Sequence, residues 1–108
     1  MAISFDDFRK VELRVGKIIE CEPVEESQKL YRLRVRVGTE ERTLAAGLAE
    51  HYAPDELLGK RVVVVANLEP KVVKGVESNG MLLAADDGNG KISLLTPDAD
   101  IGEGAVVR

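Results

Sequence analysis

The clearest pattern along the chain is a strict alternation over residues 31–37. Leu33, Val35 and Val37 fall on one face, and Arg32, Arg34 and Arg36 on the other. Period-two alternation marks a strand buried on one side. A shorter alternation sets Val11, Leu13 and Val15 against Glu12, Arg14 and Gly16. It slips by one at Ile18–Ile19, as a bulge or sharp bend in a long strand would make it. Gly38–Thr39 predicts a hairpin turn into a third strand, roughly Arg42 to Ala46. The β-branched run within Arg61–Leu68 predicts a central strand. Met81–Ala85 is apolar and free of Gly and Pro, which predicts a buried strand. The turn DDGNGK and a further strand at Ile92–Thr96 then complete a hairpin.

Helical signals are few. Ser4, with Asp7 three residues on, predicts an N-cap for one turn through Phe5 to Arg9, with Phe5 and Phe8 on its buried side. Pro54 and Gly59 bracket a second helical interruption in residues 47–59. Gly75 and Gly80 enclose Glu77, Ser78 and Asn79, which predicts a shaped loop that another backbone or a ligand can approach closely. Short strands, a helical turn between the third and fourth, and frequent glycines predict a small closed β-barrel.

Composition bounds the picture. A chain of 108 residues, 44% hydrophobic and 31% charged, suits one folded domain. No apolar run reaches the ~18 residues of a membrane span, and the N-terminus lacks a leader pattern. The lone Cys21 cannot form an internal disulfide, so a cytoplasmic location is expected, with Cys21 a bystander. The net charge of −4 argues against a nucleic-acid partner, but its distribution softens that. Residues 9–36 and 60–74 each carry a local excess of three positive charges, and residues 86–108 an excess of three negative ones. Such a chain can present a basic face while staying acidic overall.

Catalytic signals are sparse. With one His and one Cys, neither a Cys–His pair nor a metal cluster can be assembled. His51 reads as packing or solvent contact, and Asp86–Asp87 as a turn rather than a calcium loop. No phosphate-cradling glycine loop occurs, so a binding module without cofactor or metal is expected, not an enzyme. The Arg32/Arg34/Arg36 ladder has two readings. It is a solvated sheet face with acids across the strands, or a phosphate grip with Arg14 and Lys17 beside it and Lys29 at the strand entry.

The segments DDFRKVELRVGKI, QKLYRLRV, AAGLAEHYAPDELLGKRVVVVANLEP, GVESNGMLLAA and LLTPD, in this order and spacing, carry a resemblance. The sequence resembles the tRNA-binding domain family, found as a free-standing dimeric protein, at the C-terminus of bacterial methionyl-tRNA synthetases and in the endothelial-monocyte-activating polypeptide. The resemblance implies an all-β fold: a five-stranded Greek-key OB-fold barrel with a short helical turn between strands 3 and 4 and a C-terminal β extension for dimerisation. The single domain would span 1–108, with the barrel at about 10–85 and the extension at about 86–108.

The resemblance also implies site residues. Ser78 and Met81 match the family's RNA-contact edge, Asn67 the element before that loop, and Lys29 with Leu30 the entry to strand two, although Gln28 replaces the usual acid. Lys74 and Asn79 lie in the same loop and join the expected RNA contacts. Phe5, Phe8, Ile92, Leu94, Leu95, Ile101 and Val106 would form the homodimer interface. Aromatics for base stacking are limited to Tyr31 and Tyr52, so recognition of folded RNA shape and backbone is expected. The implied function is structure-specific, largely sequence-independent tRNA binding, free-standing or assisting methionyl-tRNA synthetase. Met1 ahead of a complete barrel favours the free-standing form. Two alternatives stay open: a chaperone-like peptide-binding dimer, and a protein-docking module that does not bind RNA.

Overall fold

A computed structural model describes residues 1–108. The organising element is β1 (Leu13–Pro23), which pairs antiparallel with β2 (Tyr31–Val37) along its second half and with β4 (Arg61–Val65) along its first. The register between β1 and β2 shifts between Ile18 and Glu20, the bulge that the slipped alternation predicts. A strand bent this way can serve both walls of a barrel. Next, β3 (Glu40–Ala46) pairs with β2 through the Gly38 turn and starts two residues earlier than expected. The helical turn α2 (Pro54–Leu57) plugs one end with the buried Leu57 and stops at Gly59.

The loop predicted after β4 is instead a two-stranded ribbon. β5 (Lys71–Val73) and β6 (Val76–Ser78) pair tightly across Lys74 and Gly75, both with positive φ. Two left-handed residues in succession are the signature of a tight hairpin turn whose twist matches its strands. Closure of the barrel follows. The Asn79 amide donates to the Thr43 carbonyl of β3 at 2.9 Å, and β7 (Met81–Leu82) then pairs with β4. Thus Val76–Leu82 acts as one kinked fifth strand, laid against β3 first and β4 second. At the kink Gly80 has φ +146°, and a Cβ there would stand 3.0 Å from the Val65 carbonyl oxygen.

The interior holds Ile18, Leu33, Val35, Leu44, Leu57, Val62 and Val64, all fully buried. Tyr31 joins them; its hydroxyl donates to the Tyr52 carbonyl at 2.7 Å, and burial pushes its pKa up. The Tyr52 hydroxyl in turn accepts from the Leu94 amide at 3.0 Å. Neither ring is laid out as a stacking platform.

Three expectations are corrected. The predicted strand Met81–Ala85 is divided into β7 and β8 (Ala84–Asp86), and Ala84 and Ala85 are exposed, because Leu83 crosses between sheets: its amide donates to Val63 and its carbonyl accepts from Leu95. Leu94, expected at a subunit interface, is 7% exposed within the core, on β9 (Ile92–Leu94), and Ile92 packs against that core. The helix α1 (Phe5–Arg9) forms with Ser4 as its cap, its Oγ accepting from the Asp7 amide at 3.1 Å, but it buries no residue. Phe5 and Phe8 face outward, Phe5 at 72% exposure.

The last segment returns to the barrel. β10 (Val106–Val107) pairs with β1, and just before it Val15 exchanges backbone bonds with Gly104 and Ala105. Asp86 and Asp87 accept from the amides of Gly88, Asn89 and Lys91, the turn that their sequence predicts. No helix is long and apolar enough to cross a membrane.

Candidate nucleic-acid interface

The predicted arginine ladder is present, since register places Arg32, Arg34 and Arg36 on the outer face of β2. The same register decides what stands opposite. Arg32 faces Glu22 and pairs with it at 3.6 Å. Arg34 lies opposite Glu20 and Thr43, pairs with Glu41 at 3.1 Å and donates to the Thr43 hydroxyl at 3.3 Å. Glu20, Glu22, Arg32, Arg34 and Glu41 therefore share one shallow cavity of about 220 Å³ with an acidic majority. Arg36 forms no ion pair, and its β1 neighbour is Lys17. Arg14 does not join the ladder: near the β2–β3 turn it pairs with Glu12 at 2.9 Å and donates to the Gly104 carbonyl at 2.9 Å. It ties down the C-terminal segment. Lys29 is exposed in the β1–β2 loop without an ion pair.

The hairpin β5–β6 gathers a different set. Lys71, Val73, Ser78, Gly80 and Met81 surround a cavity of about 550 Å³ with Ala45 of β3 and with Leu68 and Glu69 of the stem. Met81 (47%) and Leu68 leave apolar surface in water within it, while Val72 (66%) is exposed on the opposite face of the ribbon, beside Glu77. Lys71 and Lys74 on the same ribbon form no ion pair and are exposed. An open, largely apolar hollow lined by one unpaired lysine, Lys71, and one acid, Glu69, with Lys74 on the turn beyond it, suits a ligand that is flat in parts and anionic in others.

Ser78 holds this site together from within. Its side chain is 7% exposed; Oγ accepts from the Ala45 amide at 3.0 Å and donates to the Gly80 carbonyl at 3.0 Å. The hydroxyl stands in for a missing ladder bond between β3 and the kinked fifth strand, so it has little left to offer a ligand. Asn67 is also committed. Its Oδ1 accepts from the Glu12 amide at 2.8 Å and its Nδ2 donates to the Lys10 carbonyl at 2.6 Å. Both ends of one amide stitch the N-terminal segment to the end of β4. Of the loop residues expected to contact RNA, Lys74 and Met81 present free surface, while Asn67, Ser78 and the Asn79 backbone shape the site.

Sequence reasoning passed over Arg42. From β3 its guanidinium donates to the carbonyls of Ala66 and Asn79 (3.2 Å to the latter) and pairs with Glu40 at 2.7 Å. It clamps both feet of the hairpin stem to β3. No sequence signal could have found it, because its partners are backbone carbonyls distant in the chain. Lys71 is hidden for another reason: the glycines and polar tip of its ribbon have the signature of a loop.

A five-stranded Greek-key barrel whose β5–β6 hairpin folds back over β3 is an OB-fold binding domain. Residues 13–106 match the family described as "Putative tRNA binding domain", and the chain belongs to that family. Among curated relatives, methionine–tRNA ligase of Pyrococcus abyssi is 56% identical over 108 residues, all of this chain but 15% of that protein. The Thermotoga maritima enzyme is 55% identical over 106 residues, 98% of this chain and 17% of its own length. The chain thus spans about one-sixth of these relatives. A solved methionyl-tRNA-synthetase-related protein from Pyrococcus horikoshii superposes with TM-score 0.95 at 38% identity, covering 100% of this chain and 99% of that one. The chaperone CsaA of Bacillus anthracis superposes with TM-score 0.90 at 27% identity, each chain wholly covered.

Proposed function

We propose that this chain is a tRNA-binding module without chemistry of its own, which grips folded RNA at the hollow between the β5–β6 hairpin and β3. The observation that carries this reading is the exposed apolar surface of Leu68 and Met81 in a hollow lined also by Lys71, with Lys74 at the hairpin turn, neither lysine held in an ion pair. The apolar part takes up sugar and base surface, and the ammonium groups take phosphates, which gives affinity with little sequence reading. Synthetase relatives support a role beside methionyl-tRNA synthetase, as a separate subunit or an appended domain; the lone Cys21 fits a cytoplasmic location for it.

The module works as a homodimer in this reading. Phe5, Phe8, Val11, Leu13 and Val106 line an apolar groove of about 580 Å³ on the side of β10, while Leu95 and Ile101 are exposed but do not line it. A second copy covering the groove would bury Phe5 and Phe8, which the monomer leaves in water. Sedimentation at micromolar concentration is expected to give twice 11.7 kDa.

The CsaA likeness favours one further reading, a peptide-binding chaperone on the same barrel. A gel shift with bulk tRNA across a salt series, run beside suppression of aggregation of an unfolded client, separates the two. Salt-dependent tRNA retardation without client protection is expected. Client protection without tRNA binding would overturn the proposal.

A further inference from the structure

Away from the hairpin, three cations stand in a row across three adjacent strands. Lys17 on β1 lies directly opposite Arg36 on β2 and directly opposite Arg61 on β4. Both pairings are antiparallel, which brings facing side chains within about 5 Å of one another at Cβ, and like charges so placed repel. The only acid within ion-pair distance of the three is Asp100, at 3.1 Å from Arg61 and itself 87% exposed. The Nε of Arg61 is buried with no hydrogen-bond partner. Glu103, on the same C-terminal segment, has its pKa lowered by its own backbone amide and, less strongly, by Arg61, Lys17 and Arg36. On its β3 side Arg36 lies opposite Glu41, but that carboxylate pairs with Arg34 at 3.1 Å, so the row itself is covered loosely, by acids on an irregular segment. That is the reverse of the situation one step along β2, where strand-borne Glu22 and Glu41 hold Arg32 and Arg34.

We propose that Lys17, Arg36 and Arg61 form a second RNA subsite that binds backbone phosphates, with Asp100 as a tethered anion that the RNA displaces. The inference rests on the tRNA-binding reading and adds to it a contact remote in sequence from the hairpin. Three long cations converging from three strands can share one or two phosphates, and the guanidinium groups offer paired donors to their oxygens. Binding relieves the repulsion within the row, so the cost of assembling it in the free protein returns as affinity. Asp100 lowers that cost while the site is empty and competes when RNA arrives.

The test is a tRNA gel shift over a salt series with melting curves in parallel, on wild type, Lys17→Gln/Arg36→Gln and Asp100→Asn. The double variant is expected to bind about tenfold more weakly at low salt, to flatten the slope of log K against log salt by about 1–2, and to melt no lower than wild type. Asp100→Asn is expected to bind about two- to threefold more tightly. Unchanged affinity and slope in the double variant would overturn the subsite while leaving the hairpin reading intact. Weaker binding with an unchanged slope and a lowered melting point would show the row to be structural and overturn it also. Weaker binding by Asp100→Asn would overturn the role given to that carboxylate. A wild-type protein that does not retard tRNA would overturn the subsite and the parent reading together.

Discussion

The arginine ladder of β2 and the β5–β6 hairpin are both cationic surfaces of one barrel, and they differ in what the fold sets against their charges. On the ladder, register delivers Glu22 to Arg32, and Glu41, opposite Arg36, reaches diagonally to Arg34, so that the charge of Arg32 and Arg34 is spent within the sheet. On the hairpin, Lys71 and Lys74 stand free, with Leu68 and Met81 exposed beside them. Charge written most plainly into the sequence is here the least available to a ligand. Availability is decided by the neighbouring strand, which lies elsewhere in the chain.

The comparison can be broken most severely at its hinge. Gly80→Ala places a Cβ 3.0 Å from the Val65 carbonyl oxygen at a φ that side chains rarely adopt. It is expected to cost about 3 kcal/mol of stability from strain and overpacking. A denaturant titration checks it, and tRNA binding should fail in step with closure of the fifth strand. Ser78→Ala leaves the Ala45 amide without its acceptor, which should cost about 1–3 kcal/mol of stability. Affinity for tRNA should fall only as far as the folded fraction does at the assay temperature. Ser78 acts on RNA through the shape of the edge.

The next expectations sharpen the contrast. Met81→Ser removes exposed surface, so the melting point should hold while tRNA affinity falls about fivefold, the equivalent of about 1 kcal/mol of apolar contact. Lys71→Gln with Lys74→Gln should reduce the salt slope by about 1 for each residue. Arg32→Gln with Arg34→Gln should leave that slope unchanged and shift stability by less than about 1 kcal/mol, because exposed ion pairs contribute little. The smallest effect is a pH dependence. Glu103 titrates below its ordinary 4.5, held there by its own backbone amide and the cation row. A depressed carboxyl stabilises the fold above 4.5 and loses that contribution as pH falls through its folded value. The melting-point gap between wild type and Glu103→Gln should therefore close as the pH is lowered from 4.5 through the depressed folded value, as calorimetry would show.

Much of the barrel was legible in the chain, because alternation and β-branching are local. The ladder strand, the bulge near Ile19, the Ser4 cap and the Pro54 turn follow from residues within a few positions of one another. What was not legible depends on distant partners. Leu94 reads as surplus apolar surface until Tyr52 and the barrel end close over it. The ribbon Lys71–Ser78 carries a short Val-rich alternation, but its two glycines and polar tip look like a loop until Thr43 and Ala45 take up its edge. Ser78 and Asn67 are expected RNA contacts from the family resemblance, yet their hydroxyl and amide turn inward, a direction that sequence spacing does not encode. Arg42 gave no sign, since any arginine on a strand looks solvated.

The central claim is that RNA lies on the hairpin edge and leaves the paired part of the ladder bare. Amide hydrogen exchange with and without saturating bulk tRNA tests it residue by residue. The account predicts added protection in residues 68–82 together with Lys17 and Arg36, and none at Glu20–Glu22, Arg32 or Arg34. Protection centred on Glu20–Glu22 and Arg32–Arg34, with the hairpin exchanging as in the free protein, would contradict it.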